Sequence, residues 1–313
     1  MTEQRRRAGI VSAPSPEQAL AIAVQLCCVA QFIGLAELAL ARRELTRGGF
    51  LDWSIMGATG RCARTRIGKF IERGFRRLPL TVFIVLLAAD AAVLVSLMVS
   101  PSQPFLLACA ATVQITVLKR HWLTFDGSDQ MVVVILIACF LGCAVHGHVT
   151  ARAACSFVAG EVALAYLVAG AYKIRGPLWR SGQAFSLITR TKVFGHPAVA
   201  RVVHRHPMLG FVATYCVVCW ELIFPLALIA PLAVLVTILV IGVVFHVACA
   251  VVMGLNRFVW VFVATYPAVI GSNAAIRAGI GRNDANVVTV AVLAAAAVVL
   301  AVTFAQSASP APS

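Results

Sequence analysis

Charge is scarce in this chain. Only 12% of its 313 residues are Asp, Glu, Lys or Arg, against about a quarter in a soluble globular domain. That is too little polar surface to solvate a water-exposed globule of this size. The signatures of familiar soluble chemistry are missing too: there is no P-loop, G-x-S-x-G, H-E-x-x-H or dinucleotide-binding pattern in a supporting context. No aromatic-plus-basic platform accompanies the excess of basic residues, which argues against a nucleic-acid partner. The ten cysteines lie almost entirely inside apolar stretches, as small buried apolar residues do. They do not form the loop-borne framework of a disulfide scaffold.

What is present is hydrocarbon. Hydrophobic residues make up 61% of the sequence and the mean hydropathy is +0.92. Apolar runs fall at about 19–41, 80–99, 104–118, 131–149, 153–172, 209–229, 232–253, 258–272 and 286–305. Most are near the length a helix needs to cross a bilayer. Lipid offers no partners to backbone N–H and C=O groups, so such runs must be helical. The expected fold is all-α, a polytopic transmembrane bundle of eight or nine helices. In 173–207, Phe185, Ile188, Val199, Val202 and Val203 recur at helical intervals around Pro197, which predicts short amphipathic helices in the interface. The organisation read from this is a disordered tail at 1–16, a first apolar helix and basic loop at 17–79, the main bundle at 80–305, and a disordered tail at 306–313. The first run, with Arg5, Arg6 and Arg7 before it and Ala39-Leu40-Ala41 at its end, has features of a signal peptide. Its length, Gln31, Glu37 and the basic segment behind it favour a retained helix.

The net charge of +14 is concentrated in two segments, 42–79 and 173–207. Both are expected on the cytoplasmic side of a plasma membrane, facing anionic lipid head groups. Alternating sides from there is self-consistent through the chain but puts the N-terminus outside, against the pull of Arg5–Arg7. The sequence leaves open whether the first helix crosses, forms a hairpin or lies at the interface.

Ionisable residues at membrane depth are costly and mark cavities or partners. The candidates are Glu37, Asp90, His146, Glu161, Lys173, Glu221 and His246. Tyr166, Gly170 and Lys173 share one helix face. There Gly170 would let a helix or ligand approach closely. A lysine partly removed from water can act as a general base; the plainer alternative is an interfacial lysine reaching for the head groups. His246 lies mid-span and needs a partner. Glu221 follows Trp220, with Pro225 close behind. Cys216 and Cys219 form a C-x-x-C, a weak signal in a cysteine-rich chain. Cys139, Cys143 and His146 share a face but lack a further metal ligand, so no metal site is expected. Asp126 and Asp129 form a single D-x-x-D without the second acidic cluster that magnesium-dependent prenyl transfer needs, and Asp126 or Ser128 can simply cap the next helix.

Taken in order, one set of residues has a further meaning. His121-Trp122 and Gly127-Ser128-Asp129-Gln130 precede a span. Tyr166 to Ile174 follows, then Gly176-Pro177-Leu178-Trp179 and Gly182. Trp220-Glu221-Leu222 with Pro225, Phe245-His246, Met253-Gly254-Leu255, Phe258, Trp260 and Tyr266-Pro267 complete it. This ordered set resembles the horizontally transferred transmembrane domain, a family that includes the membrane part of vitamin K-dependent γ-glutamyl carboxylase and bacterial SdpB-type proteins. The resemblance covers roughly 80–272. It implies a base at Lys173 that deprotonates a reduced quinone, with His246 as its partner and Asp129, Tyr166, Trp179 and Glu221 contacting substrate. The family's Lys-Leu reads Lys173-Ile174 here. The carboxylase's Asn/His-rich segment is replaced by Gly127-Ser128-Asp129-Gln130, and its large extracytoplasmic domain has no counterpart in this sequence, so protein carboxylation is not expected.

Three functions remain in view. The first is a membrane-embedded enzyme, carboxylase- or epoxidase-like, acting on a quinone-like or other lipid-soluble molecule, with a reduced quinone as the implied cofactor. The second is an SdpB-type accessory protein for maturation or export of, or immunity to, a small secreted peptide. The third, a small-solute transporter, is disfavoured by the absence of an inverted repeat or paired broken helices.

Overall fold

The computed structural model describes residues 13–46, 48–52, 79–120, 126–145 and 147–280. Several expectations therefore fall outside the described residues: both tails, most of the first basic loop, His121-Trp122, His146 and the span at 286–305. Within them every regular element is helical. The order is α1 (Pro16–Leu40), a 3-10 turn (Arg42–Leu45), α2 (Leu80–Val99), α3 (Pro104–Arg120), α4 (Gly127–Ala144) and α5 (His148–Arg175). Three short helices follow, α6 (Pro177–Arg180), α7 (Ala184–Ile188) and α8 (Pro197–Arg205). Then come α9 (Pro207–Ile223), a 3-10 segment (Phe224–Leu228), α10 (Leu232–Met253) and α11 (Asn256–Ile280).

Local signals set the helix ends. Ser15 caps α1 with a reciprocal box: its hydroxyl accepts the Gln18 N–H at 3.2 Å, and the Gln18 side chain accepts the Ser15 N–H at 3.0 Å. Asp126 does the same for α4, accepting the N–H groups of Ser128 and Asp129 while Asp129 accepts its own. The D-x-x-D is thus a helix cap. α5 ends where Gly176 returns its N–H to the carbonyls of Tyr172 and Lys173, and Pro177 opens the next helix. α10 ends on Gly254 with φ +72, a left-handed cap that glycine adopts at little cost.

Among the described residues, seven helices are long and apolar enough to cross a membrane, and α3, at 17 residues, falls just short of their length. Their outer faces are apolar as well. On α10, Leu232, Val236, Val240, Val244 and Val251 are exposed at near-regular helical intervals, while Leu235, Ile238, Leu239, Gly242 and His246 face inward. A helix that is apolar all round has lipid on one side and protein on the other. The chain is a multi-pass integral membrane protein with an all-α bundle.

α1 is part of the core. It shares its largest interface with α11 and also packs on α2, α4 and α5. Ala19, Ala23, Cys27, Cys28 and Ala30 are fully buried along it. Its start meets the start of α5, where His148 Nδ1 lies 2.7 Å from Glu17. Its end lies beside Arg257 at the start of α11. The first helix therefore runs the length of the bundle, neither a hairpin nor a surface helix. Short helices do occupy the expected segment, as α6, α7 and α8. On α8, Val203 is buried and Arg201 and Arg205 are exposed.

Candidate functional site

A cavity of about 540 Å3 opens between α4, α5, α9, α10 and α11, closed at one end by the short helices α6 and α7. Its walls are mainly apolar and aromatic. Five of the six expected site residues line it: Lys173, His246, Tyr166, Trp179 and Glu221.

Each arrives there through local geometry. Tyr166 and Lys173 are seven residues apart on α5, so they face the same way with an axial offset of about 10 Å. Gly170, between them on that face, admits α9. A methyl group there would come within 3.0 Å of the Leu222 side chain and 3.2 Å of the Glu221 Cβ. That close approach puts Glu221 beside Lys173. Trp179 reaches back from the turn after Gly176-Pro177, with its ring 5.1 Å from the Lys173 Nζ, inside the range for a cation–π contact.

Two polar pairs stand in the wall. Lys173 Nζ donates to both oxygens of Glu221, at 2.5 and 2.7 Å. The carboxylate side chain is 4% exposed and the lysine 21%. A buried carboxylate with both oxygens on an ammonium is a well-satisfied ion pair. Lys173 Nζ is thus held by Glu221 and does not project freely into the cavity. Further in, the Tyr166 hydroxyl hydrogen-bonds His246 Nε2, while His246 Nδ1 has no hydrogen-bond partner. The imidazole stacks on Phe262 at 4.6 Å. Tyr166 packs against Trp220 and Phe224 at 4.6 and 4.3 Å.

Asp129 is the exception. On α4, Gly127, Gln130, Met131 and Val134 form the face that lines this cavity. Asp129 precedes Gln130 by one residue and so points about 100° away from it. Its Oδ1 accepts from Gln114 and forms an ion pair with Arg257, and its Oδ2 accepts the Asp126 N–H. With these partners it holds α3, α4 and α11 together and has no access to a ligand in the large cavity.

Three polar lining residues were not assigned to the site from sequence: Glu161, Cys249 and Gln130. Glu161 could have been. Glu161, Ala165, Ala169 and Lys173 step along α5 by four residues, and all four line the cavity. Gln130 and Cys249 gave no comparable signal.

Other sequence features lie elsewhere. Cys216 and Cys219 are exposed on α9 and do not line the cavity. Cys139 Sγ contacts the Leu20 carbonyl oxygen, an ordinary packing contact. Among the described residues, no group of three or more His, Cys, Asp or Glu side chains is placed to hold a metal ion. An apolar aromatic chamber with an ion pair at one station and a Tyr–His pair at another suits a lipid-soluble ligand with a polar group on its ring. Comparison of the chain with protein-family models, curated proteins and solved structures gives no match.

Proposed function

We propose that the chain is a membrane-embedded enzyme of carboxylase-like architecture that acts on a lipid-soluble, quinol-like small molecule. The observation that carries this reading is the Lys173–Glu221 ion pair in the wall of a predominantly apolar cavity. A buried charged pair is costly to assemble, and hydrophobic residues could hold the helices together as well. Chemistry at that point accounts for a pair of this kind in an apolar wall.

The pair acts as one unit. Glu221 is the group able to take a proton, and Lys173 is the cation that stays beside the oxygen that lost it. The site's net charge is then unchanged, which matters where the dielectric is low. His246, held by Tyr166 through Nε2, is the second polar station in the wall. Aromatic side chains form the slot for the ring, and Trp179 covers the lysine. The fit to a reduced quinone rests on this combination of an apolar slot and two polar stations. We place the basic end of the bundle, with 42–79 and 173–207, at the cytoplasmic face of the plasma membrane.

A second reading draws on the same pair. As a latch between α5 and α9 it would serve an SdpB-type accessory protein acting on a small secreted peptide, with no chemistry of its own. Thermal unfolding in detergent with reduced and oxidised quinones separates the two. The variant to use is Lys173→Met/Glu221→Leu, which removes both charges and leaves neither stranded. A quinol that stabilises the native chain by mass action and loses its effect in a folded double variant supports the enzyme. Identical melting with every quinone supports the accessory protein.

A further inference from the structure

A second cavity, of about 270 Å3, lies between α1, α2, α3, α4 and α11. Its polar lining comprises Gln31, Asp90, Gln114, Asp129 and Arg257, with Glu37 also on its wall. Gln31 and Asp90 are 3% and 4% exposed. Neither the amide oxygen nor the amide nitrogen of Gln31 has a hydrogen-bond partner, and neither does Asp90 Oδ1. Asp90 lies at the middle of the 20-residue α2. Buried polar atoms without partners are expensive, and in lipid there is no bulk water to relieve them.

Among the described residues the charges around this cavity do not pair off completely. Arg257 is committed to Asp129, to which Gln114 also donates at 3.2 Å. Gly34 makes room for that guanidinium, since a methyl group there would sit 3.1 Å from Arg257 Nε. Arg120, the other cation at this end, lies over the Phe83 ring at 4.5 Å. Glu37 is exposed and accepts from Asn256 at 3.5 Å. Among the described residues Asp90 forms no ion pair, so one buried carboxylate remains without a counter-charge.

We propose that this cavity binds a monovalent alkali cation, with the Asp90 carboxylate and the Gln31 amide oxygen as its protein ligands and water completing the shell. The two side chains supply oxygen, the donor atom that such hard ions take. Glu37 is exposed, so the buried charge left to neutralise is single, and a divalent ion would put excess positive charge beside Arg257. The cavity has room for a partly hydrated ion, and a water in it can accept from Gln31 Nε2. This proposal is independent of the quinol reading, because the two cavities lie on different faces of α4 and have no lining residue in common.

The test is the melting temperature of the purified full chain in NaCl, KCl and choline chloride at equal ionic strength. The expected result is a saturable rise in NaCl or KCl over choline, abolished in Asp90→Asn. Gln31→Leu should raise the half-saturating concentration at least tenfold. Equal melting in the three salts, or a shift that survives Asp90→Asn, overturns the proposal. So does an infrared carboxylic C=O band at neutral pH in saturating NaCl that Asp90→Asn removes, since a proton then occupies the place of the ion. If Asp90→Asn does not fold, Gln31→Leu decides alone, and an unchanged half-saturating concentration rejects the site.

Discussion

The two cavities flank the same helix, α4, yet handle charge in opposite ways. In the larger one every described charge in the Lys173–Glu221 station has a partner, and the remaining wall is mostly aromatic and aliphatic. In the smaller one, carboxylates and amides crowd a volume half as large, and Gln31 and Asp90 are left with unsatisfied atoms. The Lys173–Glu221 station is internally neutral and can wait empty for an apolar ligand. A site with an unbalanced charge destabilises the bundle until something neutralises it.

The sharpest way to break this comparison is to unbalance the first cavity. Lys173→Met strands Glu221, and the loss should reach about 3–5 kcal/mol. Adding Glu221→Leu to that variant should recover most of it. Unfolding titrations in detergent measure both, and an equally unstable double variant would show that packing, not charge, sets the cost. In the second cavity Asp90→Asn should act in the opposite direction. With choline as the only cation it should leave stability unchanged or raise it by roughly 1–3 kcal/mol, the scale of one unsatisfied buried polar group. Arg257→Met should destabilise by about 2–3 kcal/mol, less than Lys173→Met, because Asp129 keeps its bonds to Gln114 and to the Asp126 N–H. Tyr166→Phe removes the partner of His246 Nε2 and should cost about 1–2 kcal/mol, with any quinol-induced shift reduced. Asp126→Ala, which removes only the cap of α4, should cost about 1 kcal/mol and leave ligand effects at both cavities intact.

Most of the larger site could be read along the chain, since its parts sit at helical intervals or within short motifs. Tyr166, Gly170 and Lys173 fall on one face by periodicity, and Gly170 does admit α9 as expected. Trp179 is positioned by the Gly176-Pro177 turn. The pairings are what the sequence withheld. Nothing near Lys173 in the chain announces that Glu221, 48 residues later, is its partner. Asp129 reads as a ligand contact until Arg257, 128 residues later, is found on it. The smaller cavity was out of reach for the same reason. Gln31, Asp90 and Gln114 belong to three helices, and nothing in the linear spacing joins them.

By itself the sequence determined that this chain lives in a bilayer as a helix bundle. That follows from the length and apolarity of its runs, because lipid leaves the backbone no alternative to helix. It also determined helix ends, through Ser15, Asp126, Gly176-Pro177 and Gly254, because caps act over a few residues. Only the tertiary structure decided that the first helix belongs to the core, which carboxylates are balanced, and that α4 separates an apolar chamber from a polar one. Those outcomes depend on which faces meet across the bundle, and a Coulombic partner is chosen by distance in space rather than along the chain.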